Sequence, residues 1–265
     1  DEANNDRALD IALDSDGYAY VVGYATNKAG SSSGKDWWIR KINPSGQFVT
    51  GWEQIVDFGQ GEDVALAAAV DRYDDLIVAG YSTDISGSSD KDWRIIKYTS
   101  SGNEAWDKTL VLSPSKADAA TDVATDGTGN IFVGGYWYRG VQTGTDWKVK
   151  KFSSGGMEEA SWDINFSGQP SATDRVSGLA VDTAGNVYVV GRETSGFQGN
   201  LQDWRVIRYD PNGDTDWSFY VDVDGVDIPR AVAVDTTGAI YVGGSAGGGS
   251  ADTDWHIRKY YGTVE

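Results

Sequence analysis

The chain has 265 residues and a net charge of −18, from 22 basic against 40 acidic residues. That field repels phosphate backbones and anionic membrane surfaces, so neither nucleic acid nor a membrane is an expected partner. There is no cysteine and one histidine, His256, which excludes thiol chemistry and disulfides and leaves too little imidazole for a His-rich zinc site or a Ser-His-Asp triad. No apolar run approaches the ~20 residues of a membrane helix, whereas 34 Gly, 11 Trp and 14 Tyr suit short strands, tight turns and large aromatic packing units.

The first expected strand, Ile11-Ala12-Leu13, closes on Asp14, and the pattern returns ahead of Asp71, Asp126, Asp182 and Asp235. Alternation puts Ala12, Ala69, Ala124, Ala180 and Ala233 on one face, where small side chains let neighbouring sheets approach. Three residues after each aspartate stands Gly17, Asp74, Gly129, Gly185 or Gly238, the chemistry of a tight turn with one positive φ. A second strand follows and ends on glycine in every unit, at Gly23, Gly80, Gly135, Gly191 and Gly244, where a bend or a close backbone approach is expected.

After a loop that differs in every unit, such as Trp137 to Thr145, a third strand opens with Asp-Trp at 36, 92, 146, 203 and 254. With period two, Trp204, Val206 and Arg208 share a face, as do their counterparts in the other units. The tryptophans are therefore expected to dominate packing between sheets. The cation ending each such face (Lys41, Lys97, Lys151, Arg208, Lys259) is expected to snorkel or to pair with a carboxylate. A glycine turn and an outer strand bearing Trp52, Trp106, Trp162 or Trp217 follow, and the chain returns through Asp6, Asp63, Asp118, Asp174 or Asp227.

Four strands per unit, five times over, predict an all-β, five-bladed β-propeller of four-stranded antiparallel blades, with residues 1–265 as a single domain. The fifth unit has too few residues for a fourth strand, so its blade is expected to be three-stranded, with an exposed edge open to self-assembly. The run Val181-Asp182-Thr183-Ala184-Gly185-Asn186-Val187-Tyr188-Val189-Val190-Gly191, followed by an aspartate-headed strand, a cation and a glycine turn, resembles the bacterial SBBP-type β-propeller repeat. That resemblance implies an exported or surface protein used as a scaffold or adhesive module, without a catalytic signature. The chain departs from it by placing Trp at the head of every third strand.

The strand order carries the variable segments and two aspartate sets to one end of the blades: the return aspartates above, and Asp36, Asp92, Asp146, Asp203 and Asp254. A single aspartate at one spot in every unit reads as a hydrogen-bond latch before it reads as a metal ligand. No cofactor is expected, and the nearest approach to a Ca²⁺ loop is the sparse run Asp222-Val223-Asp224-Gly225-Val226-Asp227. Trp137, Tyr138 and Arg139 join aromatic faces to a guanidinium, a combination suited to a glycan or protein ligand, and Phe197 is a further candidate. A secreted or cell-surface binding or scaffold module, without enzymatic activity, is the expected function. A glycoside hydrolase, with carboxylates from different blades such as Asp10 and Asp122, and a surface-layer or filament component are the alternatives.

Overall fold

The computed structural model describes residues 5–28, 34–59, 61–83, 90–114, 116–140, 144–168, 173–194, 202–222, 226–247 and 254–261. All of its regular structure is strand. Sheet 1 holds β1 (Arg7–Leu13), β2 (Ala19–Thr26), β3 (Lys35–Ile42) and β4 (Phe48–Val56). Sheet 2 holds β5 (Val64–Val70), β6 (Leu76–Thr83), β7 (Lys91–Tyr98) and β8 (Glu104–Leu110). Sheet 3 holds β9 (Ala119–Thr125), β10 (Ile131–Gly140), β11 (Gly144–Phe152) and β12 (Glu158–Phe166). Sheet 4 holds β13 (Arg175–Val181), β14 (Val187–Thr194), β15 (Gln202–Tyr209) and β16 (Thr215–Val221). Sheet 5 holds β17 (Ile228–Val234), β18 (Ile240–Ala246) and β19 (Asp254–Tyr260). Each sheet is an antiparallel meander in chain order, the fold of β-propeller blades, and the last has three strands as expected.

The chain forms two compact units, Asp1–Ile131 with Ser153–Met157 and Phe132–Phe152 with Glu158–Glu265. Within the first, Trp37 is fully buried between β3 and sheet 2, and its indole N–H donates to the Tyr81 carbonyl at 3.1 Å. A second stitch lies further out: Trp52 donates to the Ser100 carbonyl at 3.1 Å, and Trp106 to that of Ser154 at 3.1 Å. Around Trp37 pack Tyr20, Val22, Ile39, Leu76 and Val78. Burying a Trp removes about 150–250 Å² from water, and the indole N–H finds an acceptor, so neither end of the side chain is left unsatisfied.

The second unit repeats both stitches. Trp147 donates to the Arg192 carbonyl at 3.0 Å and Trp204 to that of Ser245 at 3.1 Å, while outer-strand Trp162 donates to the Pro211 carbonyl at 3.1 Å. Trp204 sits with Tyr188, Val190, Val206, Ile240 and Val242 in one apolar cluster.

The glycine ending each second strand has a steric cause. The inner strand bulges at one place in β1, β5, β13 and β17, between Ala8/Asp10, Ala65/Ala67, Val176/Gly178 and Pro229/Ala231, and the bulge pushes a carbonyl against the facing residue. A Cβ at Gly23 would lie 1.9 Å from the Arg7 oxygen, and one at Gly191 would lie 2.2 Å from that of Arg175. No side chain fits there. The tight turns also match: Asp126, Asp182 and Asp235 accept from the N–H groups two and four residues on, and Asp74 takes φ 60° where the other units use glycine.

The cations ending the Trp faces find partners. Lys97 Nζ lies 2.7 Å from Asp71 and 3.1 Å from Asp75, Lys41 Nζ 3.2 Å from Asp14, Lys151 Nζ 3.4 Å from Glu159, and Arg208 pairs with Asp216. One expectation is corrected. Trp137 to Thr145 is not a loop throughout, because β10 runs on to Gly140 and β11 begins at Gly144; Tyr136, Trp137 and Tyr138 favour the extended chain and lengthen this hairpin.

Candidate functional site

The return aspartates act as latches. Asp63 accepts from Thr83 N and Phe58 N, both at 2.9 Å, and Asp174 from Thr194 N at 2.9 Å and Gly168 N at 2.8 Å. Asp6 and Asp227 accept from Thr26 N at 2.9 Å and Gly247 N at 3.2 Å. Their own amides bind the head of the preceding third strand: Asp63 N to Lys35 O at 2.8 Å, Asp174 N to Thr145 O at 2.8 Å, and Asp227 N to Gln202 O at 2.6 Å. Burial pushes the carboxyls of Asp63 and Asp174 up to about 6, against the pull of two backbone N–H donors each. Asp10 is also latched, accepting from Ala68 N at 2.8 Å.

Where the second and third strands of a sheet end, one repeat position carries the departures from symmetry. It is Ala25, Ser82 and Ala246 in sheets 1, 2 and 5, but Trp137 in sheet 3 and Glu193 in sheet 4. β10 brings Trp137 and Arg139 to one face and turns Tyr138 to the other. The Trp137 indole N–H is buried with no hydrogen-bond partner among the described residues, and Lys148 Nζ stands 5.1 Å from its ring centre. Lys148 is in turn held by Asp163 at 2.5 Å and by the Asn165 side chain at 2.9 Å. The Arg139 side chain is 50% exposed, 3.6 Å from the buried Asp146, whose carboxyl is raised by burial while Ser167 and Arg139 lower it. Phe197 lies outside the described residues.

Glu193 went unnoticed in the sequence because it stands alone in a variable segment. It is buried; Oε1 accepts from Tyr220 Oη at 3.1 Å, Oε2 lies 3.7 Å from Arg205 Nε, and burial raises its carboxyl, with Asp174 and Asp203 adding to the rise. Strand register places Asp203, Arg205 and Tyr220 on the same face of sheet 4. Asp203, Asp222 and Asp227 each bring a carboxylate oxygen to within 4.8 Å of the others, Asp222 being the exposed member. The sparse acidic run of the sequence thus contributes two of these three carboxylates, with Asp203 joining from β15; Asp224 lies outside the described residues.

No curated protein matches the chain. Among solved structures it is similar to an α-L-arabinanase of Penicillium chrysogenum complexed with arabinobiose (13% identity, TM-score 0.58, 95% of this chain and 78% of that one). It is also similar to the Hadza microbial sialidase Hz136 (12% identity, TM-score 0.55, 91% and 50%) and to Sqt1 from Chaetomium thermophilum (16% identity, TM-score 0.50, 91% and 56%). The chain spans about half the length of the sialidase and of Sqt1. At these identities the likeness is one of fold. It nonetheless overturns the expectation that the chain is not an enzyme, since a sialidase and an arabinanase are enzymes built on propellers of this kind. The SBBP β-propeller repeat matches residues 168–197 of the chain.

Proposed function

We propose that the chain recognises carbohydrate, as an exported or cell-surface module, through the Trp137–Arg139 end of sheet 3. The observation that carries this is the Trp137 side chain: a partly exposed indole beside the half-exposed Arg139, at a position that is alanine or serine in three other sheets. A sugar offers an apolar C–H face to the aromatic ring and hydroxyl acceptors to the half-exposed Arg139 guanidinium. The charge of −18 supports a neutral or cationic glycan over an anionic polymer.

A glycan array followed by titration calorimetry tests this. Trp137→Ala is expected to weaken binding by about tenfold to 100-fold without loss of folding, because Trp137 lies outside the tryptophan stitches; Arg139→Ala is expected to weaken it less. A defined glycan bound equally by the wild type and both variants would remove this surface as the site.

Glu193 favours a second reading, cleavage of the glycan. A buried carboxyl held toward its protonated form beside an acidic group on the same face has the two-carboxylate character of glycosidases. Release of reducing ends from a bound glycan, reduced about 10²–10⁴-fold in Glu193→Gln, is the expected result of this reading; equal release by that variant would contradict it.

A further inference from the structure

We propose that Arg175 and Arg192 of sheet 4, with Arg230 of sheet 5, form a binding site for a small tetrahedral oxyanion, a phosphate or sulfate group taken either free or as the monoester of a small molecule.

All three arginines belong to the second unit. Strand pairing sets Arg175 directly opposite Arg192 across β13 and β14. Like charges placed in this way are destabilising, and the fold does not call for them. The equivalent pairs are Arg7 with Tyr24, Val64 with Tyr81 and Ile228 with Ser245. Arg230 is the extra residue of the β17 bulge, where the inner strands of sheets 1, 2 and 4 carry Leu9, Leu66 and Ser177. β17 runs close beside β13, since a Cβ at Gly178 would lie 3.2 Å from Val232 N and 3.3 Å from Ala231 Cα. Departures from the repeat at three positions, each to arginine, therefore fall in one place.

The cluster is left without a counter-charge. Arg40, Arg94, Arg139, Arg205 and Arg208 each pair with a carboxylate, whereas among the described residues none lies within ion-pairing distance of Arg175, Arg192 or Arg230. Their contacts are neutral instead. Arg175 stands 4.0 Å from the centre of the Tyr136 ring, its Nε buried without a hydrogen-bond partner, and Arg192 donates to the Gln202 side chain at 3.2 Å. Burial, followed by the charges of Arg175 and Arg230, lowers the Arg192 guanidinium, while Asp174 and Tyr136 raise it. Asp174 does not close the account electrically, because each of its carboxylate oxygens already accepts a backbone amide. A guanidinium keeps its proton in a protein, so three positive charges persist side by side in a chain that has 40 acidic residues from which a partner could have come.

The chemistry of the occupant follows from the donors. Guanidinium forks match oxyanions bidentately, and a tetrahedral group with two negative charges offers enough oxygens for three of them where a carboxylate has two. The net charge of −18 repels an extended polyanion at long range, so the site suits a small anion captured by short-range contacts. Tyr136 and Trp137 lie on opposite faces of β10, and the oxyanion site does not depend on the glycan surface.

Titration calorimetry of the full chain in low-salt buffer tests the proposal, with inorganic phosphate, inorganic sulfate, phenyl phosphate and acetate as probes. Saturable binding of phosphate or sulfate is expected, weakened about tenfold to 100-fold in Arg175→Gln and in Arg192→Gln and unchanged in Arg72→Gln, an exposed arginine of the first unit. Phenyl phosphate bound as well as the inorganic ion assigns the site to a monoester; inorganic ions bound alone assign it to the free anion. Thermal unfolding gives a second readout. Without added anion Arg175→Gln is expected to melt no lower than wild type, having lost a like-charge pair, and added phosphate is expected to raise the melting temperature of wild type but not of this variant. Variants that melt lower than wild type and respond to phosphate equally would overturn the proposal and make the arginines structural. Wild type that binds none of the probes, or binds acetate as tightly as phosphate, would overturn it as well.

Discussion

Trp204→Ala is expected to lower the stability of the second unit by about 3–5 kcal/mol, read as a fall in the urea midpoint at unchanged slope. Trp204 is fully buried and joins sheet 4 to sheet 5 through both an apolar cluster and a hydrogen bond to Ser245. Truncation opens a cavity that the surrounding strands cannot close, because the Gly244 backbone is held against the Ile228 carbonyl by the bulge in β17. It also leaves the Ser245 carbonyl without its indole donor. Trp255→Ala is the matched control: it makes the same change at the same repeat position, on a side chain 79% exposed, and is expected to shift stability by under about 0.5 kcal/mol. Equal losses from the two would mean that the tryptophans contribute through local strand propensity rather than by joining sheets.

The second large effect is a dependence on pH that runs against the usual acid lability. Asp63 and Asp174 are buried latches whose folded carboxyls titrate near 6, above their ordinary 3.8. Between these values the folded protein binds more protons than the unfolded chain, so their contribution to stability is fully present below about 4 and is lost as pH rises through 6. Two groups raised by about two pH units correspond to roughly 2–3 kcal/mol each at most. Other carboxylates act in the opposite sense. Asp126, Asp163 and Asp182 are lowered by hydrogen bonds and ion pairs that outweigh their burial, so their contribution is present above about 4 and disappears as pH falls further. Stability is therefore expected to peak at mildly acidic pH, near 4–6, and to decline toward 8. Urea titrations across this range check it, and the double variant Asp63→Asn, Asp174→Asn is expected to flatten the decline. A peak at neutral pH would show that the backbone donors, not burial, govern these carboxyls.

Much of the fold was legible because it repeats. Five copies of the aspartate turn and the Asp-Trp strand fix the strand count, the antiparallel meander and the short last sheet, and the face carrying Trp204, Val206 and Arg208 follows from the strand period alone. The return aspartates were readable as latches for the same reason, since one carboxylate per unit at a fixed place points to something every unit needs. What escaped were features without a periodic marker. The bulge in the inner strands shows in the sequence only indirectly, through the glycine facing it. The outer stitches from Trp52, Trp106 and Trp162 pair residues 48 or 49 positions apart, a relation visible only once the sheets are placed side by side. Trp137 was read within its own variable segment and Glu193 went unnoticed; aligning the ends of the second strands would have shown both at one repeat position, where small residues are otherwise the rule.

The central claim is that, within each unit, tryptophan side chains join neighbouring segments by burying the ring and donating the indole N–H to a backbone carbonyl. Hydrogen exchange of the indole N–H groups, followed by NMR on dilute protein with labelled tryptophan, tests it directly. Trp37, Trp52, Trp106, Trp147, Trp162 and Trp204 are expected to exchange slowly, at rates tied to unfolding of the sheets they join, while Trp255 exchanges within the dead time. Exchange of Trp37, Trp147 and Trp204 as fast as that of Trp255 would contradict the account.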